Sequence, residues 1–229
     1  GDTLGILGNA SRVLTDLAGC VDSVGSETRP DLEETILAIN TFRYGPEEQL
    51  EPQGGFMRAI RNALPDDAMI VAGMNQMGYY SRNYFFAYEP GTYLTSSSHG
   101  TLGCVYPIAL GAKVATPERA VVSISGDGGF LYNAQELATA VQYGINAIAI
   151  VFNDNAYGNV MRAQIEEFGG NVIGTRLHNP DFSEMAKVYG ARGAKATTEG
   201  ELERAIRDGV NADVPTLIEV PVGPMDRRY

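Results

Sequence analysis

Four short runs of almost continuous apolar residues constrain this chain more than any other feature. They are 68–72 (Ala-Met-Ile-Val-Ala), 121–125 (Val-Val-Ser-Ile-Ser), 147–152 (Ala-Ile-Ala-Ile-Val-Phe) and 216–220 (Thr-Leu-Ile-Glu-Val). Runs of this kind are strands covered on both faces, as in a parallel sheet. Helical patterning fills the gaps between them, beginning ahead of the first run at 55–64. Asn133 with Glu136 spells a capping box before Leu137, Ala138 and Val141 on one stripe. Asn179-Pro180 puts a cap and a proline at a helix start, and Thr198 with Glu201 repeats the capping box before Leu202, Ala205 and Ile206. Alternating strands and helices predict an α/β fold, a doubly wound parallel sheet, over residues 53–229.

The first 52 residues read differently. Gly5-Ile6-Leu7-Gly8 suggests a short strand, followed by a helix ending near Leu17. The stretch 24–52 is polar, helical over 31–42, and runs through Gly45-Pro46 to Pro52. It is too small to bury a core of its own. The expectation is therefore the tail of a preceding domain plus a linker, with the chain beginning in mid-protein.

Composition narrows the possible partners. A formal net charge of −11 argues against nucleic acid, whose phosphates demand a basic surface. The same charge would repel an anionic ligand unless a local cation and oriented backbone N–H groups supplied the attraction. No apolar run approaches the roughly 20 residues that span a bilayer. The opening residues also lack the basic start and apolar stretch of a secretory signal. The expectation is a soluble, cytoplasmic protein. Cys20 and Cys104 have no metal-ligand spacing and read as reduced packing residues. With no Trp and only two His, neither zinc nor His-based nucleophilic chemistry is favoured.

In open α/β sheets, ligands sit beyond the carboxyl ends of the strands. There the second run passes into Gly126-Asp127-Gly128-Gly129 and the third into Asn153-Asp154-Asn155-Ala156-Tyr157-Gly158. An acid directly after a buried strand, flanked by glycines, stands at the sheet edge where backbone can approach a ligand. Gly-Asp-Gly alone is an ordinary turn, and Asn-Asp-Asn ordinary loop chemistry. Two such acids one helix and one strand apart are more telling, because a right-handed crossover brings their strands together. Two carboxylates, a loop carbonyl and diphosphate oxygens make an oxygen shell suited to Mg²⁺.

Gly126-Asp127-Gly128 followed by Asn153-Asp154 resembles the diphosphate-binding motif of thiamine-diphosphate-dependent enzymes. The intervening Asn133-Ala134-Gln135-Glu136-Leu137-Ala138-Thr139 is similar to the acetolactate synthase and benzoylformate decarboxylase branch. The resemblance implies that 53–221 match the C-terminal, diphosphate-binding domain and 1–23 the end of the central domain. It further implies that Asp127, Asp154 and the carbonyl of Ala156 hold Mg²⁺. One departure is that the family commonly carries Asn where this chain has Asp154, so two carboxylates face a diphosphate. Backbone N–H groups at Gly128, Gly129 and a helix starting near Gly158 would offset that repulsion. The cofactor-binding set continues through Tyr157.

A second match is Ser98-His99-Gly100-Thr101-Leu102-Gly103. In the family a large apolar residue here props the cofactor into a bent shape, a role that falls to Leu102 with backbone from Gly100; the alternative is a core leucine at a strand-to-helix turn. His99 either faces the cofactor or is merely hydrogen-bonded in its turn. Asn75 and Gln76, after the first run, are either diphosphate donors or ordinary loop residues, and Tyr79 and Tyr80 lie near the expected substrate mouth. His178 reads as structural, and capping suffices to explain Glu136.

The resemblance implies carbon–carbon cleavage or formation next to a carbonyl, acting on a 2-oxo acid, aldehyde or ketone. The glutamate that activates the cofactor belongs in this family to an N-terminal, pyrimidine-binding domain of a neighbouring subunit. No catalytic residue is therefore expected in this chain, which by itself would be incomplete. The missing half would come from another chain or an N-terminal portion, within a homo- or hetero-oligomer. Alternatives are a flavin-linked 2-oxo acid oxidase of the same superfamily and a non-catalytic cofactor-binding module.

Overall fold

The computed structural model describes residues 5–24, 32–44, 50–96 and 99–225; Asp31, Gly45, Pro46 and Ser98 lie outside them. The chain divides into two compact units, Gly1–Glu48 and Gln49–Tyr229.

The first unit contains helices α1 (Ala10–Val24) and α2 (Leu32–Tyr44). The expected strand at 5–8 does not form. Residues 5–7 are irregular, with no strand among the described residues of this unit for them to pair with. Asn9 then accepts a hydrogen bond from the backbone N–H of Arg12 at 3.2 Å, starting α1. That helix continues past Leu17 to Val24, because nothing after Leu17 breaks it: Gly19 is tolerated inside a helix at a modest cost. Cys20 is exposed rather than packed, since the described side chains of α1 are nearly all exposed and leave no core to join.

The second unit is one six-stranded sheet, all parallel. Its strands are β1 (Met69–Ala72), β2 (Tyr93–Thr95), β3 (Val121–Gly126), β4 (Ile148–Asn153), β5 (Arg192–Lys195) and β6 (Thr216–Pro221). They run in the order β2-β1-β3-β4-β6-β5. The four apolar runs are the four inner strands, buried almost throughout. Parity divides their side chains between two cores. Ile70, Ala72, Val122, Ile124, Ile148, Ile150, Phe152, Ile218 and Val220 face one side. There they meet α3 (Gln53–Ala63), α4 (Gln76–Tyr84) and α10 (Glu199–Val210). Val71 and Val121, with Ala149, Val151 and Leu217, face the other. That side is covered by α5 (Val105–Ala115), α7 (Glu136–Tyr143) and α9 (Phe182–Tyr189). Burial on both faces is what makes the sheet doubly wound.

The unforeseen strands, β2 and β5, are the two edges. Both are short, and no residue in either is fully buried. Arg192 and Lys195 give β5 the charged character common at sheet edges.

Helix starts followed local signals only in part. Thr198 caps α10 by accepting from Glu201 N–H at 3.3 Å, and the Glu201 carboxylate reaches back to Thr197. Asn133 does not cap α7. Its amide donates to the Gly103 carbonyl at 2.8 Å, and the helix begins after Gln135 without a side-chain cap. Nor does Asn179 cap α9. Asp181 does so, accepting from Glu184 N–H at 2.9 Å, because Asn179 is bonded elsewhere.

Candidate functional site

Chain direction changes sides between β1 and β3: β2 lies outward of β1, while β3 and β4 follow on the other flank. A crevice opens beyond the carboxyl ends of such strands. In this chain it is a cleft of ≈ 110 Å³ walled by three loops, by Thr101, Leu102, Gly103 and Val105, and by Val222, Gly223 and Met225 after β6. The loops are Gly73–Met77 after β1, Ser125–Gly129 after β3, and Asp154–Val160 after β4, the last leading into α8 (Gly158–Glu167).

β3 ends at Gly126 and Asp127 opens a five-residue helix, α6 (Asp127–Leu131). Asp127 is 2% exposed. Burial pushes its carboxyl above the ordinary carboxylate range, against the pull of the Gly128 N–H and the Asn179 amide, which favour the charged form. Asp154 follows β4 and is raised to about 6, first by burial and then by the charge of Asp127. The two carboxyl groups stand at the ends of adjacent strands in one cleft, near enough for the charge on Asp127 to act on Asp154. Among the described residues that line the cleft there is no Lys, Arg or His to offset these two acids.

The loop after β4 is shaped around this meeting. Asn155 takes a left-handed backbone (φ 56°), which Asn tolerates better than most residues, and its N–H donates to Asn153 Oδ1 at 3.1 Å. The segment 175–177 pairs antiparallel with it: Tyr157 N–H donates to Thr175 O and Leu177 N–H to Asn155 O, each at 2.8 Å. Ala156 sits at the non-hydrogen-bonded position of that bridge, where a residue's N–H and C=O both turn away from the partner strand. Its N–H goes to Asp154 Oδ1 at 3.1 Å, which puts its carbonyl on the same side as that carboxylate. At Gly158 a side chain would fall on the Asp154 carboxylate, and at Gly128 on the Tyr157 ring. Both glycines are close approaches.

Asn75 caps α4, its Oδ1 accepting from Gly78 N–H at 2.7 Å, while its Nδ2 is buried with no hydrogen-bond partner among the described residues. A buried amide donor is costly to leave unpaired, and this one belongs to a residue in the cleft wall. Gln76 donates from Nε2 to Asn159 Oδ1, linking the starts of α4 and α8. Leu102 is 38% exposed and lines the cleft near Gly129, so it is not a core leucine.

Other expected residues lie apart. His99 is exposed and does not line the cleft, and Gly100 packs against Met74 instead. Tyr79 and Tyr80 belong to α4 and are not in the cleft wall; Tyr80 is buried against Tyr84, ring centroids 4.3 Å apart. Cys104 is half-buried before α5, its thiol directed to the Thr101 carbonyl. Sequence reasoning missed Asn179, whose Nδ2 donates to Asp127 Oδ2 at 2.6 Å and to Asn153 Oδ1 at 2.8 Å. It also missed Val222, Gly223 and Met225. No local signal marks any of these.

The donor set suits a hard cation beside an anion. Among the described residues no group of three or more His, Cys, Asp or Glu side chains converges, so a metal held only by such side chains is not built here. Two carboxylates and a neutral carbonyl leave coordination positions for oxygens of a ligand, a pattern typical of Mg²⁺. Asn75 and the first turn of α8 belong to the other walls of the cleft, and a helix N-terminus is a place that suits an anion.

Comparison with known proteins agrees with this geometry. Residues 72–220 match the family model of the thiamine pyrophosphate enzyme, C-terminal TPP binding domain. An acetolactate synthase of Bacillus subtilis is 35% identical over 170 residues, 74% of this chain and 30% of that protein. An acetolactate synthase large subunit of Haemophilus influenzae is 31% identical over 210 residues, 89% of this chain and 37% of that protein. A probable 2-ketoarginine decarboxylase of Pseudomonas aeruginosa is 35% identical over 162 residues, 70% and 29% of the respective chains. The chain thus spans about a third of the length of these relatives. Among the described residues no helix is long and apolar enough to cross a membrane. With its parallel sheet and the match running from β1 to β6, the chain belongs to the thiamine-diphosphate-dependent enzymes, as their C-terminal cofactor-binding domain.

Proposed function

We propose that this chain is the diphosphate- and magnesium-binding part of an enzyme that cleaves or forms carbon–carbon bonds next to a carbonyl, of the 2-oxo acid decarboxylase or acetolactate synthase kind. The observation that carries this reading is the meeting of the Asp127 and Asp154 carboxyl groups at the tips of adjacent strands. Acetolactate synthases and a 2-ketoarginine decarboxylase among the relatives support it. A hydrolase of trihydroxycyclohexane-1,2-dione from Bacillus subtilis, 30% identical over 179 residues, has a different substrate in its name.

Asp127, Asp154 and the Ala156 carbonyl would hold Mg²⁺. The Asn75 amide and the N–H groups of Gly128, Gly129 and the first turn of α8 would take diphosphate oxygens, with Gln76, Gly126, Tyr157 and Gly158 completing the cradle. Leu102 would meet the body of the cofactor as an apolar wedge. Bound thiamine diphosphate supplies the electron sink for bond cleavage. This chain's part is to hold and orient it and to neutralise its anionic end.

In this reading residues 1–52 are the tail of a central domain and its linker. Proton removal from the cofactor belongs to a pyrimidine-binding domain on another chain or an N-terminal portion, in an oligomer. A cytoplasmic location fits a chain with only two cysteines, Cys20 and Cys104, far apart in sequence.

The test is thermal unfolding of the 229-residue chain with Mg²⁺, thiamine diphosphate, both or neither. Both together should raise the midpoint, either alone should raise it much less, and Asp127→Ala should abolish the joint effect. An equal rise with the cofactor in the presence of a chelator would refute the metal bridge.

A further inference from the structure

Asp127 is the end of a buried chain of polar side chains that starts across the sheet at Glu219. Glu219, on β6, is 3% exposed. One of its oxygens accepts from Asn153 Nδ2 at 3.0 Å and lies 3.5 Å from Lys195 Nζ; the other accepts from Phe182 N–H at 3.2 Å. A carboxylate acceptor at that point admits only the NH₂ of Asn153, so the Asn153 oxygen must face the opposite way. There it accepts from Asn155 N–H and from Asn179 Nδ2. Asn179 is oriented in turn. Its NH₂ lies between two acceptors, Asn153 Oδ1 and Asp127 Oδ2, and its own Oδ1 is buried without a partner among the described residues.

We propose that Asn179 is a positioning residue for the metal site, fixing the Asp127 carboxylate for the cation, with its own orientation imposed through Asn153 by Glu219. This rests on the reading of Asp127 as a magnesium ligand. The contact to Asp127 is short, as expected of a hydrogen bond to an ionised acceptor, and it engages one carboxylate oxygen only. It favours the charged form of a carboxyl that burial disfavours. The chain keeps Asp127 available at a place where Asp154 repels it. Partners of metal-ligating carboxylates act in this way, and their loss typically weakens metal affinity about 10–100-fold.

The experiment titrates Mg²⁺ at fixed, saturating thiamine diphosphate and follows the unfolding midpoint of the 229-residue chain by circular dichroism. The variants are Asn179→Ala, Asn179→Ser, Asp127→Asn and Asn146→Ala. Asn146 donates to the Ala212 carbonyl at the opposite end of the sheet and serves as the control for loss of an amide bond. Both Asn179 variants should need about 10–100-fold more Mg²⁺ for the half-maximal rise while their cofactor-free midpoints stay near wild type. Asn146→Ala should leave the Mg²⁺ dependence unchanged, and Asp127→Asn should lose it. A wild-type Mg²⁺ dependence in Asn179→Ala or Asn179→Ser overturns the positioning role and leaves the metal reading intact. An undiminished response in Asp127→Asn overturns both. Cofactor-free unfolding of both Asn179 variants, or an equal weakening in Asn146→Ala, overturns the proposal by making the effect one of folding alone.

Discussion

The ring of Tyr157 occupies the space that a side chain on Gly128 would need. Two loops from neighbouring strands therefore interlock at the cleft, one contributing the absence of a side chain and the other a ring. Gly128→Ala must displace Tyr157, and Leu177 at 3.0 Å limits escape on the other side. Overpacking of this kind costs about 1–3 kcal/mol. The expected result is a lower midpoint in denaturant unfolding for Gly128→Ala, with less than half of that cost remaining when Tyr157→Ala is also present. Equal costs in the two backgrounds would show that the ring and the glycine do not interlock.

Asp154 makes a distinct contribution to the pH behaviour of the cofactor-free chain. Its carboxyl is raised to about 6, above the ordinary carboxylate value. Between the unfolded value near 4 and the folded value, the folded chain holds a proton that the unfolded chain releases. The stability due to this group therefore falls as pH rises through that window, and the full penalty is present at pH 7. Asp154→Asn removes the penalty. With discounting for solvent screening, the gain is about 1–2 kcal/mol at pH 7.5, vanishing below about pH 4. Thermal unfolding across this range measures it, and a gain that persists undiminished at pH 4 would exclude the carboxyl as its source.

The sequence revealed those parts of the fold whose cause is local. β3 and β4 are legible because strands buried on both faces must be apolar at every position. Asp127 and Asp154 stand out because charge ends such a run abruptly. β2 and β5 carried no such signal: an edge strand is half exposed, and Arg192-Gly193-Ala194-Lys195 resembles a loop. Asn179 was obscured by its own neighbourhood. Followed by proline, it reads as a helix cap, yet its acceptors lie 52 and 26 residues away, on Asp127 and Asn153. An amide can serve a local cap or a distant carboxylate equally well, and only the tertiary structure decides. Asn133 likewise reads as a cap, but its amide is taken by the carbonyl of Gly103, 30 residues away in sequence.

Leu102 separates cofactor binding from stability. It is 38% exposed within the cleft, so its truncation leaves no buried cavity. Leu102→Ala should change the cofactor-free unfolding free energy by no more than about 0.5 kcal/mol, the usual range for surface substitutions. Losing the apolar wedge should nonetheless weaken thiamine diphosphate binding at saturating Mg²⁺ by about three- to sevenfold, since full burial of such a side chain contributes about 1.5–3 kcal/mol and the cofactor would cover only its exposed part. Isothermal titration of wild type and variant provides the comparison. A variant with unaltered affinity would remove Leu102 from the cofactor site.

Asn75 offers the sharpest separation between a fold role and a site role, because its two side-chain atoms do different work. Oδ1 caps α4 through Gly78 N–H, and Nδ2 is the buried donor left without a partner among the described residues. Asn75→Asp keeps an acceptor for the cap, and an acid at a helix N-terminus is favourable, worth roughly 0.3–1 kcal/mol. It deletes the donor and puts a negative charge in the wall of a cleft already holding Asp127 and Asp154. The cofactor-free chain should therefore stay within about 1 kcal/mol of wild type, the gain at the cap being offset by repulsion from the two acids, while the joint response to Mg²⁺ and thiamine diphosphate falls at least tenfold in apparent affinity. Asn75→Ala would lose both functions, with a lower cofactor-free midpoint by about 1 kcal/mol for the missing cap. If Asn75→Asp bound the cofactor as wild type does, the unpaired amide would have no part in holding the diphosphate, and α4 would reach the site through its backbone alone.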